Sequence, residues 1–357
     1  MLVVALVKLD NLNMPLEYKK AESEFIALLN CDDLDSKLLA DPNVAENFNE
    51  NIHNALKKSL DDDDESAHLF VQRCLYEINR LKLFWDDDLK NYSNENSRFL
   101  FNLQSDIENQ WSDWEEEQVI IDRPTNVTQA LCDRVKEDLN PELSEDGRYI
   151  RDQVSDVGYR RLLAIASLDG LVEASQLSRV LGGASSEMQV MLTRILWEEY
   201  GSGKLERKHS TFFAKMLDQM GLDSKPEAYF DLVPWEVLAN INHSFMLSEH
   251  KRKFLRYIGG LLYIEVSVPA SFTNNKLAGD RLGLSPEAIS YWDIHIKEDI
   301  RHGQWMLDDV ALPLVEKYEE DAWEIVLGYD QQKYLSARAS SSVVDSIQNC
   351  ENAVMRE

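Results

Sequence analysis

The sequence predicts an all-α protein. Glycine and proline are scarce, 14 and 9 of 357 residues, and the long segments between them read with helical rather than alternating apolar periodicity. A chain of this length can bury a sizeable core, and it suggests two domains or one domain with a large extension.

Taken in order, Met1-Leu-Val-Val-Ala-Leu-Val7 is apolar but short, with no basic leader and no small-residue cleavage site. It reads as a buried helix turn or short strand rather than a signal peptide. Residues 1–140 read as an accessory helical region, with amphipathic stretches such as Leu69 to Phe84. Acidic runs at Asp61–Glu65 and Asp86–Asp88 are most simply solvated loops. Two roles stay open for this region: forming a homodimer, or covering the remainder of the chain. The stretch Asp138-Leu-Asn-Pro-Glu-Leu-Ser-Glu-Asp-Gly147 concentrates turn formers and charges, so it marks the boundary to a second helical domain, residues 141–330. Within that domain Gly201 and Gly203 close one helix, Pro234 sits in a first turn, and Ser285-Pro286-Glu287 reads as N-cap, N1 and N2 of another. Pro269 is placed to kink the helix that holds it. Residues 331–357, with the run Ser340-Ser341-Ser342, read as a peripheral or partly disordered tail.

The formal net charge of −27 disfavours nucleic-acid backbones and anionic membrane surfaces as partners. No run approaches the ~18 apolar residues of a membrane span. Cys31, Cys74, Cys132 and Cys350 are scattered without C-x-x-C spacing, which fits a reducing cytoplasm and argues against a thiolate metal site.

The chemistry concentrates in His295-Ile-Lys-Glu-Asp299-Ile-Arg-His302. At about 100° per residue, His295, Asp299 and His302 fall within roughly 60° of arc, on a stripe that continues through Met306 and Val310. Polar groups there point where apolar ones belong, which makes the stripe a candidate metal face. An unpaired charge on a buried stripe costs several kcal/mol, so other ionisable groups on apolar faces are informative. Glu199 continues the stripe of Leu192, Ile195 and Leu196, whereas Glu198 points about 100° away. His209 begins a stripe through Phe212, Phe213 and Met216. Glu265 lies in a nearly continuous apolar run with Leu261, Ile264 and Val268. On a helix from Tyr159 to Val180, Glu173 and Asp169 share the stripe of Leu162 and Ala166. Carboxylates and imidazoles without thiolate suit iron or manganese, and zinc less distinctively. Four carboxylates would neutralise two divalent ions, so seven ligands fit a two-metal site better than a single ion.

Three motifs, Glu199-Tyr-Gly-Ser-Gly-Lys-Leu-Glu-Arg-Lys-His209, Tyr263-Ile-Glu265 and His295-x3-Asp299-x2-His302-Gly303, resemble those of the haem-oxygenase-like di-iron oxidases, a family of iron-containing redox enzymes. The resemblance covers roughly residues 150–328. It implies a seven-helix bundle holding two iron ions that cycle between Fe(II) and Fe(III), with O2 as co-substrate. It further implies N-oxygenation, desaturation or oxidative C–C cleavage of a small amine, amino acid or aliphatic acid, with an external electron donor left open as a partner. By residue matching Glu199 bridges the irons; His209, Glu265 and His295 hold one, and Asp299, His302 and Glu173 the other.

Glu206-x-x-His209 and Asp299-x-x-His302 also show the carboxylate and histidine spacing of ferritin-like bundles, with Glu206 in place of Glu199. Glu199 is preferred because Glu206 belongs to the charged cluster Lys204–Lys208. Tyr291 and Trp292 flank the ligand stripe as substrate-pocket candidates, with ordinary aromatic packing as the competing reading. His243, His250 and Arg256 read as surface residues. Two other functions compete: a redox-inert zinc or manganese protein using the same ligands, and a metal-free helical interaction protein whose inward charges are paired. The second requires Lys or Arg on the same stripes, and none stands there.

Overall fold

A computed structural model of the chain describes residues 14–83 and 88–356. The apolar opening Met1–Val7 and part of the acidic run at 86–88 lie outside them. The described residues fold as helices and turns without a strand, the all-α class read from the sequence. None of these helices is long and apolar enough to cross a membrane.

The first helices are α1 (Leu16–Leu29), α2 (Leu34–Ala40), α3 (Pro42–Asp62), α4 (Glu65–Leu83) and α5 (Arg98–Gln118). Then come α6 (Val127–Asp138), α7 (Glu145–Asp152), α8 (Asp156–Gly170), α9 (Ser175–Leu181), α10 (Ser186–Glu199) and α11 (His209–Gln219). The remainder are α12 (Trp235–Glu249), α13 (Phe254–Arg281), α14 (Ser290–Trp305), a π-helical turn at Met306–Ala311, α15 (Leu312–Lys317) and α16 (Trp323–Val354). Side-chain oxygens of Asp33, Asn126, Ser144 and Ser155 cap α2, α6, α7 and α8, each accepting a backbone N–H that the helix leaves unpaired.

Two compact units emerge. One comprises α1–α5 together with Pro234–Met246. Its core stacks Phe25 on Phe48 at 4.7 Å and Tyr18 on Phe70 at 4.9 Å. Beside the aromatics runs a buried amide network in which Gln104 donates to Asn79 and Asn79 donates to Asn242. His243, read as a surface residue, is fully buried in this unit, its Nδ1 2.9 Å from the Glu115 carboxylate. Its helix turns that face inward, and Glu115 gives the imidazole the polar partner that burial demands.

The other unit comprises residues 119–233 and 247–356 and carries all three motifs. α6 lies in it, on the far side of the boundary read from the sequence, because Arg134 pairs with Asp330 at 2.8 Å and Tyr329 donates to Asp138. The segment from 331 onward is no peripheral tail. It completes α16, a helix of 32 residues whose Leu335, Val344, Ile347 and Cys350 are buried. The serine run lies on the outer parts of that helix, where serine costs little. Arg256 is half-buried against Glu324 of α16, not on the surface, whereas His250 is exposed. α13 runs through Pro269 without a break. Ser285–Ala288 form a turn closed by the Ser285 hydroxyl, and α14 starts only at Ser290.

α13 and α16 meet backbone to backbone. A Cβ on Gly259 would lie 2.0 Å from the Ile325 carbonyl oxygen, and one on Gly328 would lie 2.0 Å from that of Arg256. Gly259→Ala and Gly328→Ala should each destabilise by about 1–3 kcal/mol through overpacking, lowering Tm by several degrees. Gly182, whose added Cβ meets nothing within 4 Å, is the control: Gly182→Ala should leave Tm nearly unchanged. Thermal unfolding of the three variants checks this, and equal Tm values throughout would contradict the close approach.

Candidate metal centre

Four segments of the motif-bearing unit bring the site together. Glu199 is the last residue of α10, inward on the stripe of buried Leu192 and Ile195. Gly201 and Gly203, both at positive φ, turn the chain immediately after it, and His209 then opens α11 above buried Phe213 and Met216. Glu265 lies midway along α13 on the buried line of Ile258 and Leu262, one position away from the face read from the sequence. α14 supplies His295, Asp299 and His302, all buried. Tyr159 to Val180 is not one helix: α8 ends at Gly170 and α9 begins at Ser175. Glu173 reaches the site from the turn between them, next to Ala174 at φ 61°. Asp169, at the end of α8, is exposed and joins none of the groups that could hold a metal. Glu206 is exposed in a 3-10 turn, which leaves Glu199 as the carboxylate of that segment.

The seven side chains converge. Glu173, Glu199, His209 and His295 each offer a ligand atom within 4.8 Å of one another, and so do Glu199, Asp299 and His302. Glu199 belongs to both groups. His209 Nδ1 stands 2.8 Å from Glu199 and 3.1 Å from His295 Nε2, which is 3.2 Å from Glu173. His302 Nδ1 stands 3.3 Å from Glu265, 3.5 Å from Glu199 and 3.6 Å from Asp299. The geometry therefore sets Glu173 with His209 and His295, and Glu265 beside His302 and Asp299. That exchanges the two carboxylates relative to the division implied by residue matching.

Burial and mutual charge shift Glu199, Glu265, Asp299 and the three imidazoles. Burial raises the Asp299 carboxyl well above the usual carboxylate range, and the neighbouring Glu265 and Glu199 charges add to it. Burial likewise raises Glu265, only partly opposed by His302. Glu199 is held low, because the His209 hydrogen bond and the surrounding imidazoles outweigh its burial. Burial works against the charged imidazoles, yet contacts with Glu199 and Glu298 push His209 up to about 10, and Glu265, Glu199 and Glu198 push His302 up to about 9.

Metal is the ligand these residues fit. Three buried atoms, Glu173 Oε2, Asp299 Oδ1 and His302 Nδ1, make no hydrogen bond, a state that costs about 1–3 kcal/mol per group unless something fills it. Among the described residues, the ion pairs of Glu173, Glu199, Glu265 and Asp299 are with histidines, not with Lys or Arg. Oxygen and imidazole donors without sulfur suit iron or manganese.

Tyr291 and Trp292 form a wall of the site instead of an open pocket. Both are buried; Tyr291 donates its hydroxyl to Glu173, and Trp292 Nε1 donates to Tyr159 at 2.7 Å. Phe213 and Phe272 pack edge-on around them. Two residues escaped the sequence reading. Glu198 Oε2 lies 2.9 Å from His302 Nε2, and Glu298 Oε2 lies 3.1 Å from His209 Nε2. Both are half-buried and sit off the apolar stripes, so stripe analysis discards them.

Comparison with known proteins agrees with this chemistry. Residues 160–332 match the family model described as iron-containing redox enzyme. Nitrosourea synthase from Streptomyces achromogenes subsp. streptozoticus is 30% identical over 173 residues, 47% of this chain. The match spans 36% of that relative's own length. Residues 160–332, which contain the whole cluster, are thus similar to the iron-containing redox enzymes, the resemblance read from the sequence motifs.

Proposed function

We propose that the cluster holds two iron ions per chain and that the protein is a dioxygen-using oxidase or oxygenase of a small amine-type substrate. The observation that carries this reading is the convergence of four carboxylates and three imidazoles, three of whose buried atoms make no hydrogen bond. Glu199, common to both groups, would serve both ions; Glu173, His209 and His295 would hold one, and Glu265, Asp299 and His302 the other. Bound iron would supply the redox chemistry, reduction of dioxygen coupled to oxidation of the substrate. The chain supplies the rest: Tyr291 holds Glu173 through its hydroxyl, and the wall of Phe213, Phe272 and Trp292 keeps bulk water from that side. An amine is favoured as substrate class because the relative's name denotes a nitrogen–nitrogen bonded product. Cysteine usage favours the cytoplasm as the protein's location, and the unit built on α1–α5 serves as an accessory region.

Anaerobic Fe(II) titration of the metal-free protein should reach two ions per chain, and air exposure should then consume O2. His302→Ala should lose at least one ion. Uptake of two ions with no O2 consumption would instead favour the redox-inert zinc or manganese reading, and uptake of one ion or none would end the di-iron assignment.

Loading must also displace protons. A metal binds the neutral imidazole, yet His209 and His302 stay protonated up to about pH 10 and 9 in the metal-free protein. Titration in weakly buffered solution near pH 7.5 should therefore release close to two protons from these histidines, in addition to any from Asp299. Release should shrink as pH rises through about 9 and then 10, and metal affinity should rise over the same range. A proton count independent of pH would show that the histidines are already neutral.

A further inference from the structure

Each of the three histidines presents one ring nitrogen to the cluster and the other to an acceptor behind it. His295 faces the cluster with Nε2, and its Nδ1 lies 2.9 Å from the Tyr291 carbonyl oxygen, an uncharged partner one helical turn back. His209 and His302 are reversed. They face the cluster with Nδ1, and their Nε2 atoms lie 3.1 Å from Glu298 and 2.9 Å from Glu198. An ionised carboxylate accepts only, so when a metal displaces the inward proton and the imidazole becomes neutral, the proton that stays is the one on the nitrogen beside Glu298 or Glu198, and the lone pair points inward.

Glu198 and Glu298 adjoin one another, each offering an oxygen within 4.8 Å of the other and of a His302 ring nitrogen. They do not form a further cation site. Arg301 already occupies that position, its Nη2 2.6 Å from the same Glu198 oxygen that meets His302. The guanidinium neutralises one carboxylate and locks its direction, while the Arg301 face lies 5.1 Å from the Trp305 ring.

We infer that Glu198 and Glu298 are positioning residues, which fix the Nε2–H tautomers of His302 and His209 so that both imidazoles coordinate through Nδ1, one on each metal ion. The inference rests on the di-metal reading above. Because the two carboxylates act on different histidines, each governs a different ion. Loss of an outer carboxylate of this kind weakens metal binding about 10–100-fold.

The test uses the full-length chain, titrated with Co(II), and compares wild type with Glu298→Ala, Glu198→Ala, Glu298→Gln and Glu198→Gln. Each alanine variant should weaken one of the two ions about 10–100-fold and change the visible Co(II) spectrum, leaving the other ion near its wild-type Kd. Each glutamine variant, whose amide oxygen still accepts the N–H, should recover part of the loss, which a merely structural role would not show. In Zn(II)-loaded protein with 15N-labelled histidine, His209 and His302 should be metal-bound at Nδ1 and His295 at Nε2. Wild type that binds two ions while both alanine variants keep its affinities overturns this inference alone, as does Nε2 coordination of His302. Wild type that binds fewer than two ions overturns the di-metal reading and this inference with it. Circular dichroism of the metal-free variants separates misfolding from lost coordination, and the glutamine variants carry the test where an alanine variant does not fold.

Discussion

The constraint on which the rest of the unit turns is the confinement of Glu173, Glu199, Glu265 and Asp299 in one buried volume. Removing carboxylates from water costs several kcal/mol per charge, and like charges a few ångströms apart add to that cost. In the metal-free chain protons resolve the conflict: Asp299 and Glu265 are pushed towards neutrality, while His209 and His302 retain positive charge. Divalent ions resolve it more completely, since two of them balance four carboxylates and leave the imidazoles free to act as neutral donors. The same electrostatic need explains why the surrounding wall is aromatic. Phe213 and Phe272 carry no donor and the Trp292 N–H is taken by Tyr159, so apart from the Tyr291 hydroxyl on Glu173 the wall leaves the carboxylates to each other, the histidines and a metal.

Much of this was legible in the residues. His295, Asp299 and His302 stand out because helix geometry translates their spacing directly into a common face. Glu199 and His209 follow from the same reasoning, each continuing or opening an apolar stripe. Glu265 was found for a partly wrong reason: the run around it is so apolar that any face looks buried, and the structure chose the line of Ile258 and Leu262 over that of Leu261 and Ile264. Charge in an apolar setting was the robust signal, and its exact facing was not.

What stayed hidden has physical causes as well. Glu173 acts from a turn, where a 3.6-residue period carries no information, so its partners emerge only in three dimensions. Glu198 and Glu298 are half-exposed and look like ordinary surface acids until the far nitrogens of the histidines are located. The helix beyond residue 331 was misjudged because serines and charges dominate it, although a line of Leu335, Val344, Ile347 and Cys350 is enough to bury one face. His243 failed in the opposite way, since its hydrogen-bond partner, Glu115, lies 128 positions earlier in the chain.

The glycine contact between α13 and α16 bears on the centre as well as on stability. Gly259 lies on the same helix as Glu265, less than two turns away, so the depth to which α16 seats against α13 also sets the height at which that carboxylate enters the cavity. A helix that donates no ligand thereby acts as the mechanical datum for one, and coordination geometry inherits any error in its seating. If the proposed metal is bound, the seating of α16 would have to hold within the tolerance of a metal–oxygen bond, a few tenths of an ångström, rather than the looser demands of a surface element.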